Sequence, residues 1–214
     1  MAEPRPAALP PAERTIGQLV AESVHFYGEH FWPALRLGLA PAVAAVVGAN
    51  VSRREALVLS PTVFGALLSV TLVYAGVLVL ERRPSRRRLV LAWLAGWVAF
   101  VPVPFLLLAY LVPGLVWLVA FALLVPVLVT EDVALPAAVL RAWRLARADL
   151  VHQLGSLLTL AVVVFLTQSV LAFILRGFGN TAESVAYFLA SVVVSPLLFL
   201  GVAYLYVDQS ARVE

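Results

Sequence analysis

Cysteine and lysine are both missing from this sequence of 214 residues. Without cysteine, the chain cannot form disulfides, thiolate nucleophiles, zinc–thiolate sites or cysteine-ligated iron–sulfur clusters. Without lysine, all 15 basic residues are arginines. The guanidinium group binds phosphate through two parallel hydrogen bonds, which an ammonium group cannot do. These absences exclude several kinds of catalytic and metal site and make arginine the main source of positive charge.

Charge of either sign is also scarce. Charged residues make up 13% of the chain, and hydrophobic residues make up 63%, whereas a soluble domain averages about 25% charged residues. The mean hydropathy is +0.99. So few charges could not cover the core of a water-soluble fold, so we expect lipid to be the solvent for much of the surface. The net charge of +3 does not favour a nucleic-acid partner, because the arginines lie between apolar runs and not along one stripe.

The N-terminal segment differs from the rest of the chain. Residues 1–14, MAEPRPAALPPAER, contain four prolines and no apolar core, which predicts a disordered tail and not a secretory signal peptide. Residues 15–31 follow as a helix, since Thr15 and Gln18 fit a capping box. Polar and apolar residues occupy opposite faces of this helix. That pattern predicts a helix in the headgroup plane, and docking on the protein's own surface fits it equally well.

Six apolar runs make up most of the remaining chain. Residues 89–130 carry no charge and as one helix would extend about 63 Å, roughly twice a 30 Å hydrocarbon core. The Pro113-Gly114 pair is a turn signal and divides this run into two spans. We therefore predict an all-α polytopic transmembrane bundle, formed by a single domain over 15–207 and followed by a short tail at 208–214. The predicted spans lie near 35–50, 61–80, 89–111, 115–130, 153–175 and 185–207.

Two arginine-rich segments separate the spans. The first is ERRPSRRR at 81–88, and the second is ALPAAVLRAWRLARADL at 134–150. In the second segment the arginines occupy one arc of a helix, and Val139, Trp143, Ala146 and Leu150 share another face. We predict a short amphipathic helix between spans four and five, with Trp143 at headgroup depth.

The distribution of arginines predicts which ends of the spans face the cytoplasm. If the N-terminus is inside, twelve arginines lie on the inner side and three on the outer side, in agreement with the positive-inside rule. The inner set is Arg5, Arg14, Arg36, Arg82, Arg83, Arg86, Arg87, Arg88, Arg141, Arg144, Arg147 and Arg212, and the outer set is Arg53, Arg54 and Arg176. We expect a multi-pass protein of the bacterial inner membrane with both termini in the cytoplasm.

Three stretches carry a resemblance to a known family. They are TIGQLVAESVHFYGEHFWPAL, LVPGLVWLVAFALLVPVLVTED and AAVLRAWRLARADL. They resemble the membrane domain that precedes the catalytic domain in some bacterial glycerophosphodiester phosphodiesterases, and that also occurs alone in uncharacterised membrane proteins. The resemblance covers roughly residues 14–207, although the family often has Ser where this chain has Ala142. It implies a six-helix membrane domain of unassigned role and no phosphodiesterase activity, since the chain has no room for the catalytic domain.

The basic segments supply the first set of candidate functional residues. They can act only in setting the topology, or they can also bind anionic lipid headgroups. The candidates for headgroup binding are Arg82, Arg83, Arg86, Arg87, Arg88, Arg141, Trp143, Arg144 and Arg147.

Polar residues inside the predicted spans supply the second set, which comprises Gln168, Thr167 and Ser195. Gln168 falls in the middle of span five, where it can form an interhelical hydrogen bond or contact a solute. His25 and Glu29 are four residues apart, a spacing that could hold a metal ion, but a solvated helix face explains them better. Paired catalytic carboxylates, nucleophile–base pairs and phosphate loops are all missing from the sequence. We therefore expect no enzyme activity, no metal and no cofactor.

The sequence thus favours a non-enzymatic membrane protein that acts as a scaffold or as an anionic-lipid-contacting module. Its expected partners are membrane lipids, with a homo-oligomer or an unidentified membrane protein as further options. The alternative is a small transporter or permease-like component. That alternative requires a mid-membrane pocket that touches Gln168 and the backbone near Pro102. An intramembrane enzyme would need a polar cluster that the sequence alone does not assemble.

Overall fold

A computed structural model describes residues 10–175 and 180–213 of the chain. The predicted tail residues 1–9 and the predicted turn residues 176–179 lie outside this range. The described residues form helices and no strands. The α-helices are α1 (Ile16–Glu29), α2 (Phe31–Leu35), α3 (Leu39–Asn50), α4 (Arg53–Leu59), α5 (Gly65–Val79), α6 (Arg86–Phe100), α7 (Val103–Ala109), α8 (Leu111–Ala122), α9 (Leu124–Thr130), α10 (Leu135–Ala148), α11 (Leu150–Leu175), α12 (Asn180–Val194) and α13 (Pro196–Val213).

Six helical stretches within the described ranges are long and apolar enough to cross a membrane. They contain 18 to 27 residues with mean hydropathies between 1.5 and 2.6. They are Phe31–Gly48, Arg54–Val79, Arg86–Leu106, Leu111–Thr130, Leu150–Leu171 and Tyr187–Val213. The predicted all-α bundle is confirmed, and the chain is a multi-pass membrane protein.

Helix α1 begins with the predicted capping box. The backbone N–H of Gln18 donates to the Thr15 hydroxyl (3.3 Å), and the Thr15 N–H donates to Oε1 of Gln18 (2.9 Å). Its buried side chains are Leu19, Ser23 and Phe26, and it packs against α11 and α13. The helix therefore docks on the protein's own spans. Docking on the protein surface was one of the two alternatives predicted for this segment.

The third and fourth spans meet at Tyr110 and not at the predicted Pro113-Gly114 turn. Tyr110 adopts an extended conformation (φ −150°, ψ 102°), and α8 begins at the next residue. The N–H of Gly114 donates to the Tyr110 carbonyl (3.1 Å). The prediction was wrong because proline is tolerated in the first turn of a helix, where its missing N–H needs no partner.

Two spans contain helix irregularities. In the second span, Ser60–Phe64 forms a π-helical turn between α4 and α5, with Pro61 at its start. In the third span, α6 ends at Phe100, and α7 restarts after Pro102. Proline removes a helix hydrogen bond and clashes with the preceding turn, which accounts for the second irregularity.

Both ends of the described chain are more ordered than predicted. Helix α13 continues through Asp208 to Val213, where a short tail was expected. Pro11–Glu13 forms a 3-10 turn, where a disordered tail was expected. Leu205, Tyr206, Asp208 and Gln209 are all buried, because the last turns of α13 pack against α1 and the Pro11–Glu13 turn.

Glycine allows the helices to approach closely at several points. A Cβ atom added to Gly38 would overlap the backbone carbonyl of Val192 in α12, and one added to Gly201 would overlap the side chain of Leu160 in α11. Small residues at helix contacts are typical of membrane bundles, where close van der Waals packing replaces the hydrophobic drive. These contacts fix the position of α12 against the first span and of α13 against the fifth.

Candidate functional site: an arginine-rich face and the ionic cluster behind it

One end of the bundle brings the two basic segments together. Arg88 donates to the backbone carbonyl of Glu131 (2.5 Å) and forms an ion pair with Asp132. Arg141 Nε lies 3.2 Å from Oε1 of Glu131. The acidic pair that follows α9 thus joins the first turn of α6 to helix α10. We call the resulting surface the basic face, defined by Arg82, Arg83, Arg86, Arg87, Arg88, Arg141, Trp143, Arg144 and Arg147.

The arginines of the basic face fall into two groups. Arg88 and Arg141 are partly buried and paired with carboxylates, as described above. Arg147 lies over the ring of Trp143, 4.5 Å from its centroid, which is a cation–π contact. In the described part of the chain no carboxylate pairs with Arg147 or with the exposed side chains of Arg82, Arg83, Arg86, Arg87 and Arg144. Six guanidinium groups at this end therefore keep their charge available to an outside partner.

Helix α10 packs on the bundle through a face of mostly small residues. Its buried residues are Ala138, Ala142, Leu145 and Ala146, and it packs against α8, α9 and α13. The sequence grouped Val139, Trp143, Ala146 and Leu150 on one apolar face, and of these only Ala146 is buried. Small side chains in the contact allow α10 to approach the bundle closely. Since Ala142 is fully buried, it is part of the packing surface.

The N-terminal segment and the end of α13 meet at the same end of the molecule. Arg212 Nη1 lies 2.8 Å from Oδ2 of Asp149, the residue between α10 and α11. Its Nη2 donates to the backbone carbonyl of Arg14 (3.3 Å). Both described ends of the chain therefore lie on the side that carries α10 and the basic face.

A buried ionic cluster, centred on Asp208, lies behind this face. The Asp208 carboxylate is fully buried, and one oxygen accepts a hydrogen bond from Nη1 of Arg14 (3.1 Å). Its other oxygen is 3.8 Å from Nε2 of His152, too far for a direct hydrogen bond. The second Nη of Arg14 pairs with Glu22 (3.1 Å). The cluster thus joins the N-terminal segment, α1, α11 and α13.

Several polar atoms of this region are buried without a hydrogen-bond partner in the described residues. They are Nε of Arg14, Nε2 of His152, Oε1 of Gln153, Oγ of Ser156, Oδ2 of Asp208, Oε1 of Gln209, Oγ of Ser210 and Nε of Arg212. Buried polar groups are nearly always paired, and an unpaired one is costly. This cluster is therefore the part of the described structure where electrostatic balance matters most to stability.

The pair of His25 and Glu29, which the sequence offered as a metal site, lies elsewhere, on the exposed face of α1. Nε2 of His25 is 3.2 Å from Oε1 of Glu29, and both side chains are about half exposed. No group of three or more potential metal ligands occurs within the described residues. The pair fits the solvated helix face that the sequence favoured.

The intramembrane polar candidates form hydrogen bonds with other residues of the spans. Gln168 Nε2 donates to Oγ of Ser195 on the sixth span (3.1 Å), the interhelical hydrogen bond that was one of its two expected roles. Thr167 donates to the carbonyl of Val163 in its own helix (2.8 Å). These residues lie within the fifth and sixth spans and are not part of the basic face.

A cavity of about 380 Å³ lies between the spans. Its wall includes Val103 and Pro104, beside the break in the third span, but not Gln168. The transporter alternative requires a pocket that touches both Gln168 and the backbone near Pro102. The cavity meets only one of these two conditions, and its walls are almost entirely apolar.

Sequence analysis missed the Asp208 cluster. Asp149 received no role there, Arg212 was only counted among the inner arginines, and Asp208 was assigned to a tail. One signal was available: the helical pattern of the sixth span continues past Val207, so Asp208 follows directly on an apolar helix. A carboxylate in that position needs a cation, but the sequence could not identify Arg14 as the partner from 194 residues away.

Comparisons with family models, curated proteins and solved structures find no match to this chain.

Proposed function

We propose that the chain is a non-enzymatic integral membrane module whose basic face binds anionic lipid headgroups. The observation that supports this proposal is the division among the arginines. Arg88 and Arg141 are neutralised by Glu131 and Asp132, whereas six neighbouring guanidinium groups have no carboxylate partner in the described structure. Charges that served only to pair within the fold would not be left in excess on one surface.

The chemistry of the basic face suits a lipid phosphate. A basic side chain near an anionic membrane surface contributes about 1 kcal/mol to binding. Arginine can also donate two hydrogen bonds to one phosphate group. Trp143 is half-buried beneath Arg147, and tryptophan is enriched at the depth of the headgroups. Together these features favour phosphatidylglycerol or cardiolipin over a zwitterionic lipid.

We further propose that the basic face lies in the cytoplasm of a bacterial cell and that the membrane is the inner one. The positive-inside rule supports this orientation, since the segments on this side carry twelve of the 15 arginines.

Replacing Arg144 and Arg147 with glutamine should lower the affinity for anionic lipid by roughly tenfold or more, since two charges near the surface contribute about 2 kcal/mol. The amount of phosphatidylglycerol and cardiolipin that stays bound during gentle purification, measured by native mass spectrometry, should fall accordingly. Arg54→Gln is the matched control, because Arg54 is exposed at the other end of the second span. Equal lipid retention by all three proteins would contradict the proposal.

A single introduced cysteine will be unique, because the chain has none. Arg83→Cys in the exposed loop before α6 should react with a membrane-impermeant maleimide only when the cytoplasmic side is accessible. Arg54→Cys should react with the same maleimide on cells whose outer barrier has been removed but whose inner membrane is intact. Labelling of the two sites from the reverse sides would show that the proposed orientation is inverted.

A further inference from the structure

All six spans contribute to the wall of this cavity. Representative wall residues are Ala44, Leu72, Phe100, Ala122, Leu157 and Phe199, one from each span in order. Among the wall residues that the structure describes, the hydroxyl of Ser60 is the only polar side-chain group. The cavity is therefore an apolar chamber inside the bundle and not a path for a hydrated solute.

Two helix irregularities border this cavity. Ser60, Phe64 and Gly65 belong to or follow the π-helical turn of the second span, and all three line the cavity. A π turn is wider than an α turn and is frequently found at functional sites. Phe100 and Pro104 lie on either side of the proline break in the third span and also line the cavity. The two spans contact each other beside it, since Nε1 of Trp97 donates to the carbonyl of Pro61 (2.8 Å).

The size and chemistry of the cavity restrict its occupant. An apolar cavity of about 150 Å³ stays dry and accepts a small hydrocarbon, and this one measures about 380 Å³. Leaving that much apolar volume empty would sacrifice packing contacts along the whole wall. The cavity is only partly enclosed, and the surface of the bundle at this depth is formed by apolar spans. The wall residues belong to spans that a membrane surrounds with lipid hydrocarbon, and an alkyl chain matches this apolar wall in chemistry.

We propose that this cavity binds one alkyl chain of a membrane lipid. The proposal does not rest on headgroup binding by the basic face, because the wall residues lie within the spans and none of the basic-face residues lines the cavity. The site would distinguish lipid alkyl chains by their shape and length. It would hold the chain between helices that would otherwise have a void between them.

The test uses the full chain in bilayers that contain a phospholipid with a diazirine at the end of one acyl chain. After illumination, peptide mass spectrometry should find crosslinks on Leu72, Ala122 and Phe199. These side chains are 6%, 3% and 5% exposed, so lipid on the outside of the bundle reaches them poorly. Crosslinks confined to exposed residues such as Val116 and Val162 would overturn the proposal.

A matched pair of variants on α8 sharpens the test. Ala122→Phe places a ring in the cavity and should abolish crosslinks to Leu72 and Phe199. Val116→Phe adds the same ring on the exposed side of α8, where Val116 is 47% exposed, and should leave those crosslinks unchanged. Ala44→Leu, at a half-buried position of the wall, gives a milder obstruction if Ala122→Phe does not fold. Unaltered crosslinks in a folded cavity-filling variant would overturn the proposal.

Discussion

Replacing Asp208 with alanine should lower the free energy of unfolding by about 3 kcal/mol or more, because breaking a buried ion pair leaves an uncompensated charge. The Asp208 side chain is fully buried, and Arg14 is only 13% exposed. Arg14 would keep its second contact, with Glu22, whose side chain is 23% exposed. The expected loss therefore lies toward the lower end of the usual range of about 3–5 kcal/mol. Thermal or denaturant unfolding in a fixed lipid or detergent environment measures the effect.

Removing both charges gives the informative control. The double variant with Arg14→Met and Asp208→Leu should recover much of the loss, since apolar residues of similar volume often replace a buried ion pair without cost. Glu29→Ala removes a carboxylate whose side chain is 56% exposed, and should change stability little. If Asp208→Ala were no less stable than Glu29→Ala, the buried pair would not contribute to stability as described.

Gly38→Ala should destabilise the bundle by about 1–3 kcal/mol, the usual cost of forcing an extra group into a packed interface. A Cβ at Gly38 would overlap the backbone carbonyl of Val192. A backbone atom cannot move aside as a flexible side chain can, so α12 would have to shift away from the first span. The same unfolding measurement checks this prediction.

Gly48→Ala provides a matched control near the other end of the first span. Its added Cβ would meet only the ring of Phe64, at an ordinary contact distance of 3.8 Å. Alanine is also favoured over glycine in a helix by up to about 1 kcal/mol. Gly48→Ala should therefore be neutral or slightly stabilising. Equal stability of the two variants would show that α12 does not approach the first span as closely as the structure places it.

Composition and local sequence pattern are enough to predict that lipid is the main solvent of this protein and where its helices lie. The apolar runs are long enough to span a membrane, and they reappear in the structure as six spans. The capping box at Thr15 and Gln18 is also present as predicted. These features depend on composition, periodicity and contacts between residues close in sequence, so they can be deduced without knowing how the spans pack.

The contacts between residues of different spans emerge only when the helices pack together. This packing joined Arg14 to Asp208, placed Glu131 and Asp132 between two basic segments, and turned the small face of α10 inward. It also formed the cavity, whose wall takes residues from both the π turn and the region of the proline break. The physical reason is that an apolar helix in lipid has no strongly preferred inward face, so close packing and pairing of distant polar groups select its rotation. Those contacts form between residues far apart in the chain, and no local pattern encodes them.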